Sequence, residues 1–355
     1  MRAVIPSCLM LIAGIAAAAQ PGRPTGARIV APDARLELLF TRSAPITGGL
    51  TEGPAVAPDG SIYFSDIPTD TDPGMILRFD PATKKTTVFS RDSGKSNGLI
   101  FDAAGHLLAC EGSDHGGRRV SRWNVRTGER TTVADSYGGL KFNAPNDLCL
   151  DRHGRIYFSD PRYLGSEPRE LKHRAVYRID GDGRVVEITH DVAKPNGVAL
   201  SPDGRTLYVA DHDNGTDRID PTRPAPPPGP MKIYAFRLGS DGKVNGPRRT
   251  IVDFGTQPGC DGMTVDEHGH LYLTVRSPKR PGVLVITPNG EEVAFIPTGP
   301  ANQRGDDPAN PPVGRPSNVE FGIGDESNRL YITVDTSLYR IRLKVNGTHV
   351  QYGDK

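Results

Sequence analysis

Residues 194–211 read KPNGVALSPDGRTLYVAD. An amide, Asn196, stands before a short apolar strand (198–200); the tetrad Ser-Pro-Asp-Gly (201–204) makes a tight turn, and a second strand (207–210) ends on Asp211. Asp-Gly is hairpin-turn chemistry, because glycine accepts a positive φ without a Cβ clash. The same unit occurs five more times, as EGPAVAPDGSIYFSD (52–66), SNGLIFDAAGHLLACEG (96–112), APNDLCLDRHGRIYFSDP (144–161), GCDGMTVDEHGHLYLTV (259–275) and PSNVEFGIGDESNRLYITV (316–334). From Glu52 through Asn97, Asn146, Asn196 and Asp261 to Asn318 the spacings are 45, 49, 50, 65 and 57 residues. A repeat near fifty residues built on paired strands predicts an all-β fold, a six-bladed β-propeller with four strands per blade.

The fourth unit shows the four strands most plainly, at 198–200, 207–210, 233–238 and 250–254. The repeat fills nearly all of the 355 residues, so one closed ring is expected rather than two domains. Gly and Pro are abundant (41 and 32), aromatics make up 6% and no long segment carries a helical apolar stripe, as strands and turns require. The chain divides into a signal peptide (1–19), an N-terminal segment (20–34), the propeller (35–345) and a C-terminal tail (346–355). The last unit supplies only three strands, ending at 338–343, while an orphan strand (35–40) precedes the first. Placing that strand at the outer edge of the last blade pairs both edges and latches the ring. The longest insertion, 212–230, contains PTRPAPPPGP and reads as an extended flap on the face of the unit-opening acids and amides; a second loop, 297–316, joins blade 6 on that face.

Arg2, the apolar run 9–19 and Ala17-Ala18-Ala19 before Gln20 match a secretory signal, and the run is too short to span a bilayer. The mature chain is therefore expected in the periplasm or outside the cell, free of the membrane. Its cysteines, Cys110, Cys149 and Cys260, fall in different blades, which suits separate buried thiols better than a disulfide. Net charge is +1 and falls to zero when Arg2 is removed. With no basic tract, nucleic acid is not expected as a partner; a small neutral or modestly charged molecule is, bound by a monomer. H-E-x-x-H, Walker and C-x-x-C motifs are absent from the sequence.

In a propeller the starts of the innermost strands surround one channel mouth, so Glu52, Asn146, Asn196 and Asp261 are expected to converge. Two carboxylates and two amide carbonyls make an oxygen-only shell of charge −2, suited to Ca²⁺ or Mg²⁺, with Mn²⁺ or Zn²⁺ as alternatives. The competing reading is that these are turn residues serving the same bend in each blade. Glu52 weighs against it, because glutamate is a poor turn residue and an acid at the mouth needs a charge partner or a metal. Asn97, Glu111, Asp211 and Tyr163 are candidates for substrate contact; Asn318 reads equally as a strand-end hydrogen-bond partner. Asp66 and Asp160 read as strand-end caps, His268 and His270 as residues of the opposite face, and His115, Arg118 and Arg119 as loop charges.

Glu-Gly-Pro (52–54), Asn-Asp (146–147) with FSDPRY (158–163), Pro-Asn-Gly (195–197) and Asp-Gly-Met (261–263) resemble, in that order and over about residues 45–345, the senescence marker protein/gluconolactonase family of six-bladed propellers. The resemblance implies hydrolysis of a small-molecule lactone of the sugar type, with one divalent metal, Ca²⁺ first, held by Glu52, Asn196 and Asp261. Asn146 would be a further ligand or hold a water. Where the animal branch has an arginine two residues before the blade 3 asparagine, this chain has Ala144, so that mode of sugar recognition is not carried over. Segments 109–112 (ACEG) and 115–120 (HGGRRV) look more like bacterial gluconolactonase-type sequences. Metal polarisation of the carbonyl and carboxylate-assisted attack by water would follow, with Asp261 as base and Asp211 in reserve. A phosphotriesterase with the same shell, a non-catalytic metal-stabilised binding propeller and a metal-free lyase of strictosidine synthase architecture are the alternatives.

Overall fold

The computed structural model describes residues 21–42, 49–68, 71–217, 224, 226–299 and 314–352. The signal-like segment, residues 218–223 and 225 of the proline-rich insertion and residues 300–313 of the 297–316 loop lie outside the described residues. The rest forms six four-stranded antiparallel sheets and one two-stranded ribbon (Ser136–Tyr137 with Leu140–Lys141); five of the six follow chain order from the centre outward. Their inner strands are Leu50–Val56, Ser96–Phe101, Leu148–Leu150, Pro195–Leu200, Cys260–Val265 and Pro316–Phe321, packed side by side around the channel. In blade 4 the predicted strands appear as Pro195–Leu200, Thr206–His212, Met231–Arg237 and Arg249–Asp253. Gly204 at its first turn has φ 68°, as the Asp-Gly signal requires.

The expected latch is present. Glu37–Thr41 pairs antiparallel with Ser337–Arg342 and completes blade 6, and Arg340 holds Glu37 across the seam at 2.6 Å. The core is divided among the seams between blades. Tyr157 and Val176 of blade 3 meet Val198, Val209 and Tyr234 of blade 4, and five comparable clusters fill the other seams. Alternation along each strand gives every sheet two apolar faces, and only stacking against both neighbours buries them.

Both ends of the chain contribute more than the sequence suggested. In the N-terminal segment, Ile29 and Val30 are buried in the blade 5–blade 6 seam, with Val30 bridged to Leu343. The tail turns under the ring: Thr348–Gln351 line a cavity of about 70 Å³ with Leu150, Leu200 and Val265, at the hairpin end of the channel. The Tyr352 hydroxyl donates to the Val56 carbonyl at 2.8 Å. All three described cysteines are free, Cys110 and Cys260 buried and Cys149 half-buried beside the tail.

Candidate active site at the channel mouth

The site residues lie at irregularities of the inner strands rather than within regular ladders. Pairing register slips between Glu52 and Ala55, Ser96 and Leu99, Pro195 and Val198, Cys260 and Met263, and Pro316 and Asn318. A bulge breaks the in–out alternation and re-aims one side chain, here toward the channel axis. In blade 3 the regular strand starts only at Leu148, but the Asn146 N–H still donates to the Ser159 carbonyl at 2.9 Å. Glycine follows the site residue where neighbouring blades touch: a Cβ on Gly53 would stand 2.2 Å from the Asn97 carbonyl oxygen, and one on Gly197 2.4 Å from that of Asp261.

Asn196 and Asp261 meet directly, the Asn196 Nδ2 donating to Asp261 Oδ1 at 2.7 Å and to the Tyr163 hydroxyl at 2.9 Å. Arg276 Nη1 lies 2.9 Å from Asp261 Oδ2 and donates to the Pro316 carbonyl at 3.2 Å. Glu52 is 2% exposed, and one of its oxygens accepts the Gly53 N–H at 2.8 Å. Burial, then the charge of Asp261, push its carboxyl well above the usual range. One step deeper, Asp147 accepts from the Val198 N–H (3.2 Å) and from Asn318 (3.4 Å), and burial pushes it up to about 7.

Glu52 thus feels the negative charges of Asp261 and Asp147 against the positive charge of Arg276. That imbalance, together with the buried and unpartnered Asn97 Oδ1, fits a hard divalent cation and oxygen donors. Among the described residues no three His, Cys, Asp or Glu side chains are grouped to hold a metal, so a cation here needs the amide oxygens of Asn146 and Asn196 beside Glu52 and Asp261.

Other sequence candidates have different work. Asp211 is buried at the end of its strand, with both oxygens on the backbone N–H groups of Ala193 (3.1 Å) and Lys194 (2.9 Å); it shapes the loop leading into its own blade and is not open to substrate. Asp160 does the same for Asn143 (2.8 Å) and Ala144 (2.6 Å), as a cap should. Glu111 is fully buried and paired with Arg119 at 2.8 Å, with Arg130 beyond at 3.7 Å, which removes it from the list of substrate contacts. Arg119 is therefore no free loop charge, nor is Arg118, whose guanidinium donates to the Phe142 carbonyl at 2.8 Å. Asn318 accepts the Val319 N–H at 2.8 Å, a strand-end role. Asp66 pairs with Arg42, and His270 is held by Asp266 at 2.8 Å at the hairpin end. Tyr163 walls the site and ties it together, its hydroxyl donating to the His212 carbonyl at 3.1 Å. From the sequence a G-x-S-x-G elbow is counted as absent, yet residues 94–98, GKSNG, carry that spacing. Ser96 is buried at the start of an inner strand with its hydroxyl on Ser65 at 2.8 Å, a packing role rather than a nucleophile's.

The sequence reading missed Arg276, Asp147 and His212. A signal for Arg276 existed: aligned on the second strands, Asp66, Glu111, Asp160 and Asp211 share one position, which in blade 5 is Val275, followed by an arginine. His212 follows Asp211 and is 7% exposed, its Nδ1 2.9 Å from the Cys260 carbonyl oxygen.

A closed six-bladed ring with acids and amides bulged into one mouth defines a class of propeller built around a small polar site. Residues 50–336 match the SMP-30/Gluconolactonase/LRE-like region, and the chain belongs to that family. It is 28% identical over 319 residues to the gluconolactonase of Zymomonas mobilis, covering 84% of this chain and 79% of that protein. To the pentonolactonase XacC of Haloferax volcanii it is 27% identical, over 66% of this chain and 69% of the relative. The solved gluconolactonase of Xanthomonas campestris superposes with a TM-score of 0.70 at 27% identity, over 91% of this chain and 96% of that one. A calcium-binding regucalcin of Agrobacterium tumefaciens shares the fold, with a TM-score of 0.63 at 18% identity over 88% and 94% of the two chains. These similarities identify a lactone hydrolase.

Proposed function

We propose that this chain opens a sugar-type lactone with the help of one divalent cation, Ca²⁺ first, held by Glu52, Asn146, Asn196 and Asp261. The observation that carries the reading is Glu52, buried under the charges of Asp261 and Asp147 with Arg276 opposing them, at the mouth of a gluconolactonase-family ring. Bound there, the cation supplies Lewis-acid polarisation of the lactone carbonyl and stabilises the charge that gathers on its oxygen. The protein supplies a rigid rim: Tyr163 fixes the Asn196 amide, Arg276 fixes Asp261, a bulge turns Glu52, and the Asn146 backbone is tied to Ser159. Asp261 serves as a ligand, its two oxygens oriented by Asn196 and Arg276. Residues 1–19 support export, and the hydrolysis would then take place in the periplasm or outside the cell.

The test is turnover of gluconic, other aldonic and simple aliphatic lactones by the mature protein, after chelation and with each cation restored. Activity is expected to vanish with chelator and return with one cation, and Asp261→Asn should lose cation affinity in calorimetry. Chelator-insensitive turnover would remove the cation from the mechanism, and an inactive panel would point to phosphotriesters or to binding alone.

A further inference from the structure

A lactone-opening site needs a group to take a proton from water, and the reading above gives Glu52 and Asp261 to the cation while Asp147 and Asp211 are hydrogen-bonded to the protein. Asp261 has Oδ1 on Asn196 and Oδ2 on Arg276, and Asp211 has both oxygens on backbone N–H groups. The Tyr163 hydroxyl accepts from Asn196 and donates to a carbonyl, so it too is committed. His212 differs. Its Nδ1 faces a carbonyl oxygen, which can only accept, so Nδ1 carries the hydrogen and Nε2 holds a bare lone pair. Nε2 has no hydrogen-bond partner among the described residues. The ring is wedged at the junction of blades 4 and 5: its own carbonyl is tied through Tyr163 to Asn196, and its Nδ1 is tied to the residue before Asp261. The charges that act on it are those of Asp261, Arg276 and Lys194, and burial keeps it in the neutral form that a base requires.

We propose that His212 is the general base of this enzyme, an inference that rests on the lactonase reading above. The water O–H bond breaks toward Nε2 as the water oxygen bonds to the carbonyl carbon, and the carbonyl π pair moves onto oxygen. When the tetrahedral oxyanion collapses, the ring C–O bond breaks and the proton returns from Nε2 to the departing alkoxide. The product is the open hydroxy acid, and the imidazole is neutral again.

The test compares the mature wild type, His212→Ala and His212→Gln, each loaded with the cation that supports wild-type turnover. The readouts are kcat and KM on a glucono-type lactone, melting temperature and cation affinity by calorimetry. We expect kcat to fall by roughly 10²-fold or more in both variants, with KM within about threefold and with melting and cation affinity unchanged. Added imidazole should restore part of the His212→Ala rate, because it fills the space left, and none of the His212→Gln rate. A kcat within about threefold of wild type overturns the assignment, as does a rate loss that tracks lost cation affinity or lost folding in both variants. Absence of lactone turnover by the wild type overturns the reading beneath it, whereas an active wild type with unaffected variants overturns His212 alone.

Discussion

Arg276 sits on one oxygen of Asp261, and it does so from one of the two blades whose second strand lacks the terminal acid found in the other four. Its guanidinium offsets part of the mouth's negative charge in the absence of a cation, and a cation would offset the same charge. The two positive groups therefore oppose each other. Arg276→Met should lower the melting temperature of chelated protein more than that of loaded protein. It should also tighten cation binding by roughly tenfold, on the order of 1.4 kcal/mol. Calorimetry on the variant checks this, and weaker cation binding would mean that Arg276 builds the site instead of balancing it.

Among the elements, the loops on the mouth face are shaped by carboxylates that take backbone N–H groups: the buried Asp160 and Asp211 in blades 3 and 4, and the half-buried Asp335 in blade 6, which receives Gly314 at 2.8 Å. A second device fastens the loop after FSDPRY to the start of the blade 4 insertion. Asp217 is buried and faces Arg174 at 2.8 Å, Arg169 at 3.2 Å and Arg162 at 3.5 Å. Three guanidiniums share one carboxylate, so Asp217→Ala leaves buried cations uncompensated and should cost about 3 kcal/mol. Hydrogen exchange should then accelerate in both loops, and unchanged protection there would deny the fastening role. Strands, hairpins and the closing strand were legible in the sequence because turn glycines and apolar alternation are local signals. Asn196 and Asp261 were legible because they repeat. The bulges that aim them were not, since a slip such as that from Pro195 to Val198 depends on the partner strand. His212 stayed hidden because its significance lies in a carbonyl 48 residues away.

For the whole molecule, the channel has a polar site at one end and a plug at the other. Below the ring, burial pushes Glu320 up to about 8 and His349 down to about 4, and the two side chains approach to 3.9 Å. A carboxyl raised in the folded state contributes stability that is complete below its ordinary pKa of 4.5 and lost as pH rises through about 8. His349, depressed from 6.5, contributes stability present above 6.5 and lost as pH falls toward 4. Asp147 and Asp160, both near 7, and Glu52, raised well above the usual range, act in the same sense, so Glu320 is one of several carboxyls that lower stability as pH rises past 7. Melting temperature should therefore decline between pH 7 and 8 in the wild type and decline less in Glu320→Gln. Equal slopes in the two proteins would place the effect elsewhere.

The strand that closes the ring also imposes a timetable on synthesis. Glu37 and its partner Arg340 are 303 residues apart, so the first strand leaves the ribosome long before the one it must join. At roughly 5–20 residues per second, it waits about 15–60 s with its edge unpaired. Through that interval the nascent protein is an open arc whose blades fold in order while both ends remain exposed. Chaperones that shield such an edge, or pauses that lengthen the wait, should therefore influence its yield more than they influence the finished ring.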